Sequence, residues 1–418
     1  MERLRIGVIY GGRSSEHEVS LASAASIFDQ LDLERYEPVP LFIDKAGNWH
    51  IPDQFPNTRT ASSLIEQSRN SGPFNTSTSS EAILVPHPAT DTIVTIARDS
   101  SVQGKSVDRA VVRGFSLDVI FPIVHGTYGE DGTLQGLLEL ANIPYVGASV
   151  LSSALAMDKT MAKVHFAAHE LPLVRHMVIR SKDWEQNQDA VIKTVEQELR
   201  YPVFVKPANQ GSSVGVSKAT DNKTLRSALA TAWNFDEKLL VERAVENPRE
   251  IECSVLGNDN PKVSVPGEVI PAGEFYDYES KYLNDSSKLI IPAKLTETQT
   301  QKIQSMAVTA YRALDCSGLA RVDFLSDNSD GQIYINEVNT LPGFTTISQY
   351  AQLWEASGLS YPHLLDKLIE LALNRHQRRR REARQRAQQD LRVIAAEGFP
   401  LRRSGDALAA ARRRRRHQ

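Results

Sequence analysis

Arg321-Val322-Asp323 and Asn336-Glu337-Val338-Asn339 are the two stretches on which the reading of this chain turns. Each lies in a run where polar and apolar residues alternate. Leu319 to Leu325 and Gln332 to Asn339 predict the arms of a hairpin, turned by Ser326 to Gly331. Residues two apart on a strand share a face. Arg321 and Asp323 therefore point together, as do Glu337 and Asn339. If the arms pair, three oxygen ligands and one guanidinium converge. Such hard donors suit Mg²⁺ held together with substrate phosphates. The guanidinium suits charge on a phosphoryl group in transfer. Parity alone equally fits a solvated strand face closed by a salt bridge, so the rest of the chain must decide.

Working outward, Tyr201 to Pro207 reads as a strand ending at Lys206, followed by the small-residue turn Gly211-Ser212-Ser213-Val214-Gly215. Small residues let backbone N–H groups approach phosphate oxygens. Lys206, with Lys159 of Met157-Asp158-Lys159, can neutralise phosphate charge. No G-x-x-x-x-G-K-[ST] string occurs, so this is not a P-loop. Leu239 to Glu242 is a strand ending on a carboxylate. Glu242 and Glu250 can accept hydrogen bonds from ribose hydroxyls. In Asn339-Thr340-Leu341-Pro342-Gly343-Phe344-Thr345, Gly343 lets an N–H face a developing oxyanion. Each element taken alone also fits an exposed lysine, a pair of exposed acids or an ordinary turn.

The N-terminal part has a different grain. Arg5 to Tyr10 predicts a buried strand feeding Gly11-Gly12, Ser20 to Leu31 a helix, and Pro38 to Ile43 a second strand. Asp118 to Val124 is a strand interrupted by Pro122, hence near an edge. Thr133 to Ala141 has helical spacing. Strand, loop and helix in repetition argue for a parallel sheet with ligands at the carboxyl ends of its strands. That puts Glu16 and His125 in one crevice. Asn70 to Ser80 reads as a surface excursion. Further on, Ser149 to His169, Thr298 to Leu314 and Leu364 to Leu373 are predicted helices.

The chain has 418 residues, room for two to four domains. Its net charge of −3 is a cancellation. Residues 375–418 carry fifteen arginines against four acids, a net +11, which leaves −14 on the rest. No apolar run approaches the ~18 residues of a membrane span. The N-terminus lacks a signal-peptide pattern. Cys253 and Cys316 are too few for a disulfide framework or a cysteine zinc site. The expectation is a cytoplasmic protein.

Taken together, these strings resemble the ATP-grasp superfamily and, within it, the D-alanine–D-alanine ligase family. The resemblance covers residues 3–373. It rests on Gly11 to Ser20, His125-Gly126-Thr127-Tyr128-Gly129-Glu130-Asp131-Gly132, Met157 to Lys159, Lys206 to Gly215, Phe275 to Tyr282 and Asn336 to Phe344. It implies an α/β fold with α+β elements in a three-domain ATP-grasp architecture. Residues 1–146 would be an N-terminal parallel α/β domain and 147–238 a central ATP-grasp subdomain. Residues 239–374 would be a C-terminal subdomain with metal site and lid, and 375–418 an Arg-rich tail, disordered or helical.

Position by position, the resemblance implies that Lys159, Lys206 and Ser213 bind ATP, with Glu242 and Glu250 at its adenine and ribose end. Asp323, Glu337 and Asn339 would hold two Mg²⁺ ions, Mn²⁺ substituting. Glu16 would anchor the ammonium of the first D-alanine, with His125 nearby. Arg321 and the Gly343 amide would stabilise an oxyanion. Ser348 would bind the second D-alanine's carboxylate. Ser212 and Tyr282 would join Glu16 in a hydrogen-bonded network closing a lid, Gly273 to Ile291, and Lys281 would reach the transferred phosphate. A homodimer is also implied.

The chemistry follows from the poor electrophilicity of a carboxylate. It must first become an acyl phosphate, which the second D-alanine's amine then attacks, expelling phosphate. Water must be excluded meanwhile. The base for that amine is not identified. Ligases using D-lactate or D-serine as acceptor share the fold; those of the depsipeptide type usually lack the lid tyrosine, so the resemblance at Tyr282 favours D-alanine. A nucleic-acid- or membrane-binding role would rest on the tail alone, through Arg378 to Arg381 and Arg412 to Arg416. A solvated extension is the preferred reading there, because family members generally end near Leu373. A non-catalytic ATP-binding relative should have lost Lys206, Arg321 or a metal ligand, and all are present.

Overall fold

The structure, a computed structural model, describes residues 3–52, 80–98, 110–270, 288–328 and 331–396. The proposed lid is therefore described only over 288–291. Lys281 and Tyr282, like most of the expected surface excursion, lie outside the described residues. The chain forms two compact units, Met1–Leu373 and Asn374–Gln418.

The first unit opens with β1 (Leu4–Gly11), α1 (His17–Gln30), β2 (Tyr36–Ile43), β3 (Trp49–Ile51), β4 (Ser80–Leu84), β5 (Ile93–Arg98), β6 (Ala110–Phe115), β7 (Val119–Pro122) and α2 (Thr133–Ala141). The strands make one sheet in the order β6-β5-β4-β3-β2-β1-β7. Strands β2, β1 and β7 run parallel. The strand with Pro122 is at the edge, where a missing N–H costs least. The expected parallel sheet is only part of the whole, since β3 to β6 extend it antiparallel. Period-two alternation sorts β1 into two cores. Ile6, Val8 and Tyr10 face Ala24 and Ile27 of α1, while Ile9 joins Leu41 and Leu138. The Ser20 hydroxyl of α1 accepts the Gly11 N–H (2.8 Å) and donates to the Ile123 carbonyl (2.5 Å), tying the helix to two strand ends.

Next come α3 (Val150–Met157), α4 (Lys159–Ala168), β8 (His176–Arg180), α5 (Ser181–Gln186), α6 (Gln188–Glu198), β9 (Val203–Pro207), β10 (Ser217–Ala219), α7 (Asn222–Ala232) and β11 (Lys238–Arg243). Asp158, between α3 and α4, caps α4 by accepting from the Thr160 and Met161 amides. The strands form the antiparallel sheet β10-β9-β11-β8. Val203, Val205, Leu239 and Val241 pack on Val195, Leu225 and Leu229. The opposite face therefore carries Phe204, Lys206, Leu240 and Glu242, paired Lys206↔Leu240 and Phe204↔Glu242.

A third sheet follows from β12 (Arg249–Gly257), β13 (Lys262–Val263), β14 (Gly267–Ile270), β15 (Lys288–Ile290), α8 (Glu297–Ala313), β16 (Gly318–Ser326) and β17 (Ile333–Asn339), in the order β15-β14-β12-β16-β17 with β13 on β12. Ile251, Cys253, Val255, Ala320, Val322 and Phe324 are buried with Ile303, Met306 and Ala307 of α8. The alternate residues are thereby turned to the other face. The body closes with α9 (Gln349–Ala356) and α10 (Tyr361–Ala396). Leu364, Leu368 and Ile369 of α10 join the β1–α1 core.

In the second unit the described tail residues, 374–396, are helical, and 397–418 lie outside the described residues. Its Arg378–Glu382 and Arg386–Glu382 pairs, at 4.0 and 3.9 Å, are half-exposed or more and contribute little. No helix among the described residues is long and apolar enough to cross a membrane.

Candidate active site

The hairpin arms pair antiparallel with Arg321 opposite Asn339 and Asp323 opposite Glu337. β12 adds Glu252 opposite Asp323 and Ser254 opposite Arg321. One face of three strands thus gathers Glu250, Glu252, Arg321, Asp323, Glu337 and Asn339. The two guanidinium nitrogens Nε and Nη2 of Arg321 donate to Asp323 at 2.7 and 2.6 Å. Nε also lies 3.3 Å from Glu252, and Nη1 donates to Gln349 at the start of α9 (3.4 Å). Asn339 Oδ1 accepts the Leu341 N–H (2.9 Å).

Lysines meet this acidic face from the neighbouring sheet and helix. Lys159 opens α4, donates to the Gln210 carbonyl (2.7 Å) and reaches Glu337 at 3.4 Å. Lys206 donates to Asn336 (3.4 Å) and pairs with Glu242 at 2.6 Å. The second oxygen of Glu242 pairs with Lys163 at 2.6 Å. Glu242 is buried, which by itself would raise its pKa; Lys163 and Lys206 reverse this and hold it well below the carboxylate range. Lys206 is raised above its ordinary value, the pull of Glu242 outweighing burial. Glu242 is thus held between two lysines, one on each carboxylate oxygen. Glu250 faces Lys206 closely enough to add to its charge stabilisation.

A crevice of loops adjoins the charged faces. Ser212 donates a short hydrogen bond to Glu16. Ser212 and Ser213 both hold left-handed backbone, φ +47° and +58°, which is uncommon for non-glycine residues and marks a constrained loop. Gly126 is also left-handed, and a Cβ there would sit 2.8 Å from Glu16 Oε2, so only glycine admits that carboxylate. The strand-end His125 is buried and fully engaged. Its Nδ1 lies 2.8 Å from the Leu341 carbonyl, which can only accept, so Nδ1 carries the proton. Nε2 then accepts from Ser23 (3.0 Å), whose oxygen accepts the Phe344 N–H (3.1 Å). Burial lowers the His125 pKa, keeping the ring neutral. His125 therefore supports the turn that carries Gly343, with neither ring nitrogen left for a ligand. A Cβ on Gly343 would meet the Ser348 hydroxyl at 3.2 Å. That hydroxyl accepts the Thr345 N–H (2.9 Å) at the N-terminus of α9.

Glu130, Lys163, Glu252 and Ser23 belong to this constellation and were not singled out from sequence. Glu130 lies inside the string His125 to Gly132. One of its oxygens accepts the Gly126 N–H (2.9 Å); the other has no hydrogen-bond partner among the described residues. Burial and the neighbouring Glu16 push its pKa up to about 8. Lys163 follows Lys159 by one helical turn, a spacing that could have flagged it.

A divalent ion is the natural counterpart of the hairpin face. Among the described residues no three His, Cys, Asp or Glu side chains alone form a metal-holding cluster. Two carboxylates and an amide are nevertheless a fitting set for Mg²⁺, which takes its remaining ligands from water and substrate phosphate.

Two family models match the chain: the D-ala D-ala ligase N-terminus over residues 5–148 and the D-ala D-ala ligase C-terminus over residues 166–370. The D-alanine–D-alanine ligase of Natranaerobius thermophilus is 46% identical over 383 residues, covering 92% of this chain and 98% of that protein. The solved D-alanine–D-alanine ligase from Coxiella burnetii has a TM-score of 0.74 at 36% identity, covering 95% of this chain and 99% of that one. The VanG D-Ala:D-Ser ligase of Enterococcus faecalis has a TM-score of 0.72 at 34% identity, covering 89% and 100%. Fold and site together define an ATP-grasp protein, in which Lys159 of α4 and Lys206 of the second sheet reach Glu337 and Asn336 of the third. More narrowly, the chain belongs to the D-alanine–D-alanine ligase family.

Proposed function

We propose that this protein joins two D-alanines into D-alanyl-D-alanine for peptidoglycan precursors, using ATP and an acyl-phosphate intermediate. The observation that carries the reading is the meeting of α4 and the second sheet with the third sheet. Lys159 and Lys206 from one side reach Glu337 and Asn336 on the other, at 3.4 Å each. Two lysine ammonium groups held beside this polar, carboxylate-bearing strand suit the binding of phosphate oxygens. Lys159, Lys206 and the backbone around Ser213 hold the ATP phosphates, and Glu250 the ribose. Asp323, Glu337 and Asn339 hold two Mg²⁺ ions, or Mn²⁺, which when bound offset the charge of the phosphates.

Glu16, steadied by Ser212, anchors the first D-alanine through its ammonium. Its carboxylate attacks the γ-phosphorus; the new O–P bond gives the acyl phosphate and the old one breaks to release ADP. Arg321 stands two residues from Asp323 on the same strand face, so its charge serves both the phosphoryl group and the later oxyanion. Ser348 and the N-terminus of α9 receive the second D-alanine's carboxylate. Its amine attacks the acyl carbon, the Gly343 N–H and Arg321 stabilise the oxyanion, and phosphate leaves. Lys281 and Tyr282 keep the roles that the resemblance implies, at the transferred phosphate and with Ser212 and Glu16. The domain limits 1–146, 147–238 and 239–374, a homodimeric state and a cytoplasmic location belong to the same reading.

The test is incubation with Mg²⁺, ATP and D-alanine. Dipeptide and phosphate in equal amounts are expected, and their absence across conditions would refute the reading. A D-serine acceptor is the second reading, prompted by the VanG likeness. The higher identity of the Natranaerobius and Coxiella ligases, and the larger share of this chain that they cover, favour D-alanine.

A further inference from the structure

We propose that Lys163 is a positioning residue for ATP: it holds Glu242 neutralised from behind, so that Lys206 is free to engage the nucleotide. The inference rests on the nucleotide reading of Lys206 above.

The geometry is a buried line of three charges on three elements. Lys163 of α4, Glu242 of β11 and Lys206 of β9 are joined by ion pairs of 2.6 Å, one to each carboxylate oxygen. The two lysines are not equivalent. The Lys163 side chain is 2% exposed, and that of Lys206 is 16% exposed and also reaches Asn336. Lys206 is therefore on the crevice side and Lys163 at the back.

Suppose Lys206 were the only cation on Glu242. Turning it toward a phosphate would strand a buried carboxylate, and removing one partner of such a pair is strongly unfavourable. Lys206 would be held back, and ATP would compete with Glu242 for it. With Lys163 in place, Glu242 keeps a counter-charge whichever way Lys206 turns. The spacing fits this division of labour. Lys159 and Lys163 are four apart on α4 and share a side of the helix. Lys159 reaches Glu337 in the crevice, and Lys163 supports the site from within.

A double-mutant cycle of K163M and E242Q tests this, with ATP affinity measured by direct titration and steady-state KM taken for ATP and D-alanine separately. In the Glu242 background, K163M is expected to weaken ATP about tenfold while leaving both D-alanine KM values within about twofold. In the E242Q background, where no carboxylate can be stranded, removing Lys163 is expected to change ATP affinity by less than about twofold. Equal losses in both backgrounds, or equal losses for ATP and D-alanine, would overturn the proposal. Should K163M not fold, E242Q against K163M/E242Q still decides, since a further loss of ATP affinity there contradicts it. Wild-type ligation, assayed alongside, separates failure of this inference from failure of the functional reading.

Discussion

The two ends of the crevice are built by different means. The end proposed for the nucleotide is made of strand positions whose charges are already matched, Arg321 on Asp323 and Lys206 on Glu242, with Lys163 of α4 on Glu242 as well. The end proposed for the amino acids is made of turns: the Gly126 amide on Glu130, the Phe344 amide on Ser23, the Thr345 amide on Ser348, and Ser212 on Glu16. Paired strand charges resist displacement and suit a polyanion that can replace a carboxylate as partner. Turns place single donors and acceptors by backbone geometry and suit small zwitterions. A loss at the first end should fall on chemistry and ATP, and a loss at the second on D-alanine.

The largest expected effect is at the junction. Arg321→Met should lower kcat by about 10²–10³-fold, the range for losing a donor to developing charge. A loss confined to the KM for D-alanine would break the division. Next, Glu16→Gln should raise the KM of the first D-alanine by about tenfold or more, since charge-assisted contacts are the strong ones. Steady-state assays with ATP saturating would show this, and an equal rise in ATP KM would blur the two ends. Smaller again, Ser23→Ala removes the acceptor for Phe344 and the partner of His125. It should cost about 1–3 kcal/mol of stability by leaving buried groups unmet, read as a lower melting temperature with a weaker D-alanine response.

The pH dependence of stability sharpens the contrast further. Glu130 has its pKa raised to about 8, so the folded state holds a proton that the unfolded chain releases above the ordinary carboxylate range near 4.5. Its contribution is therefore fully present below about 4.5 and is lost as pH rises through about 8. Thermal unfolding between pH 6 and 9 should fall less steeply for Glu130→Gln than for the wild type. Glu242 has the opposite sign: its depressed pKa contributes stability that is full above the unfolded value and is lost progressively as pH falls below it. The smallest effect expected is from ending the chain at Asn374. The family match stops at residue 370, so ligation rates should stay within about twofold.

The same contrast explains what the sequence disclosed. Strand parity is a period of two, so the shared face of Arg321, Asp323, Glu337 and Asn339 could be read from spacing, and the register bears it out. The parallel β2-β1-β7 core was legible in its apolar runs, and Pro122 marked its edge. Strands β3 to β6 were not. β3 is three residues long, and in β6 the consecutive Val111 and Val112 are both exposed, which erases the alternation. Turn geometry has no period at all. Nothing in the string His125 to Gly132 says that the histidine's nitrogens go to Ser23 and Leu341, or that Glu130 is buried beside Glu16. Those contacts join residues more than a hundred positions apart. The buried Lys163–Glu242 pair was missed because a lysine on a helix is ordinarily solvated.

On the proposed function both ends serve one reaction. Its most direct test is a product balance on the full chain with Mg²⁺ and ATP, offering D-alanine, then D-alanine with D-serine or D-lactate. One ADP and one phosphate for each D-alanyl-D-alanine, with D-serine and D-lactate poor acceptors, is the expected result. ADP released without dipeptide, or a faster rate with D-serine, would contradict it.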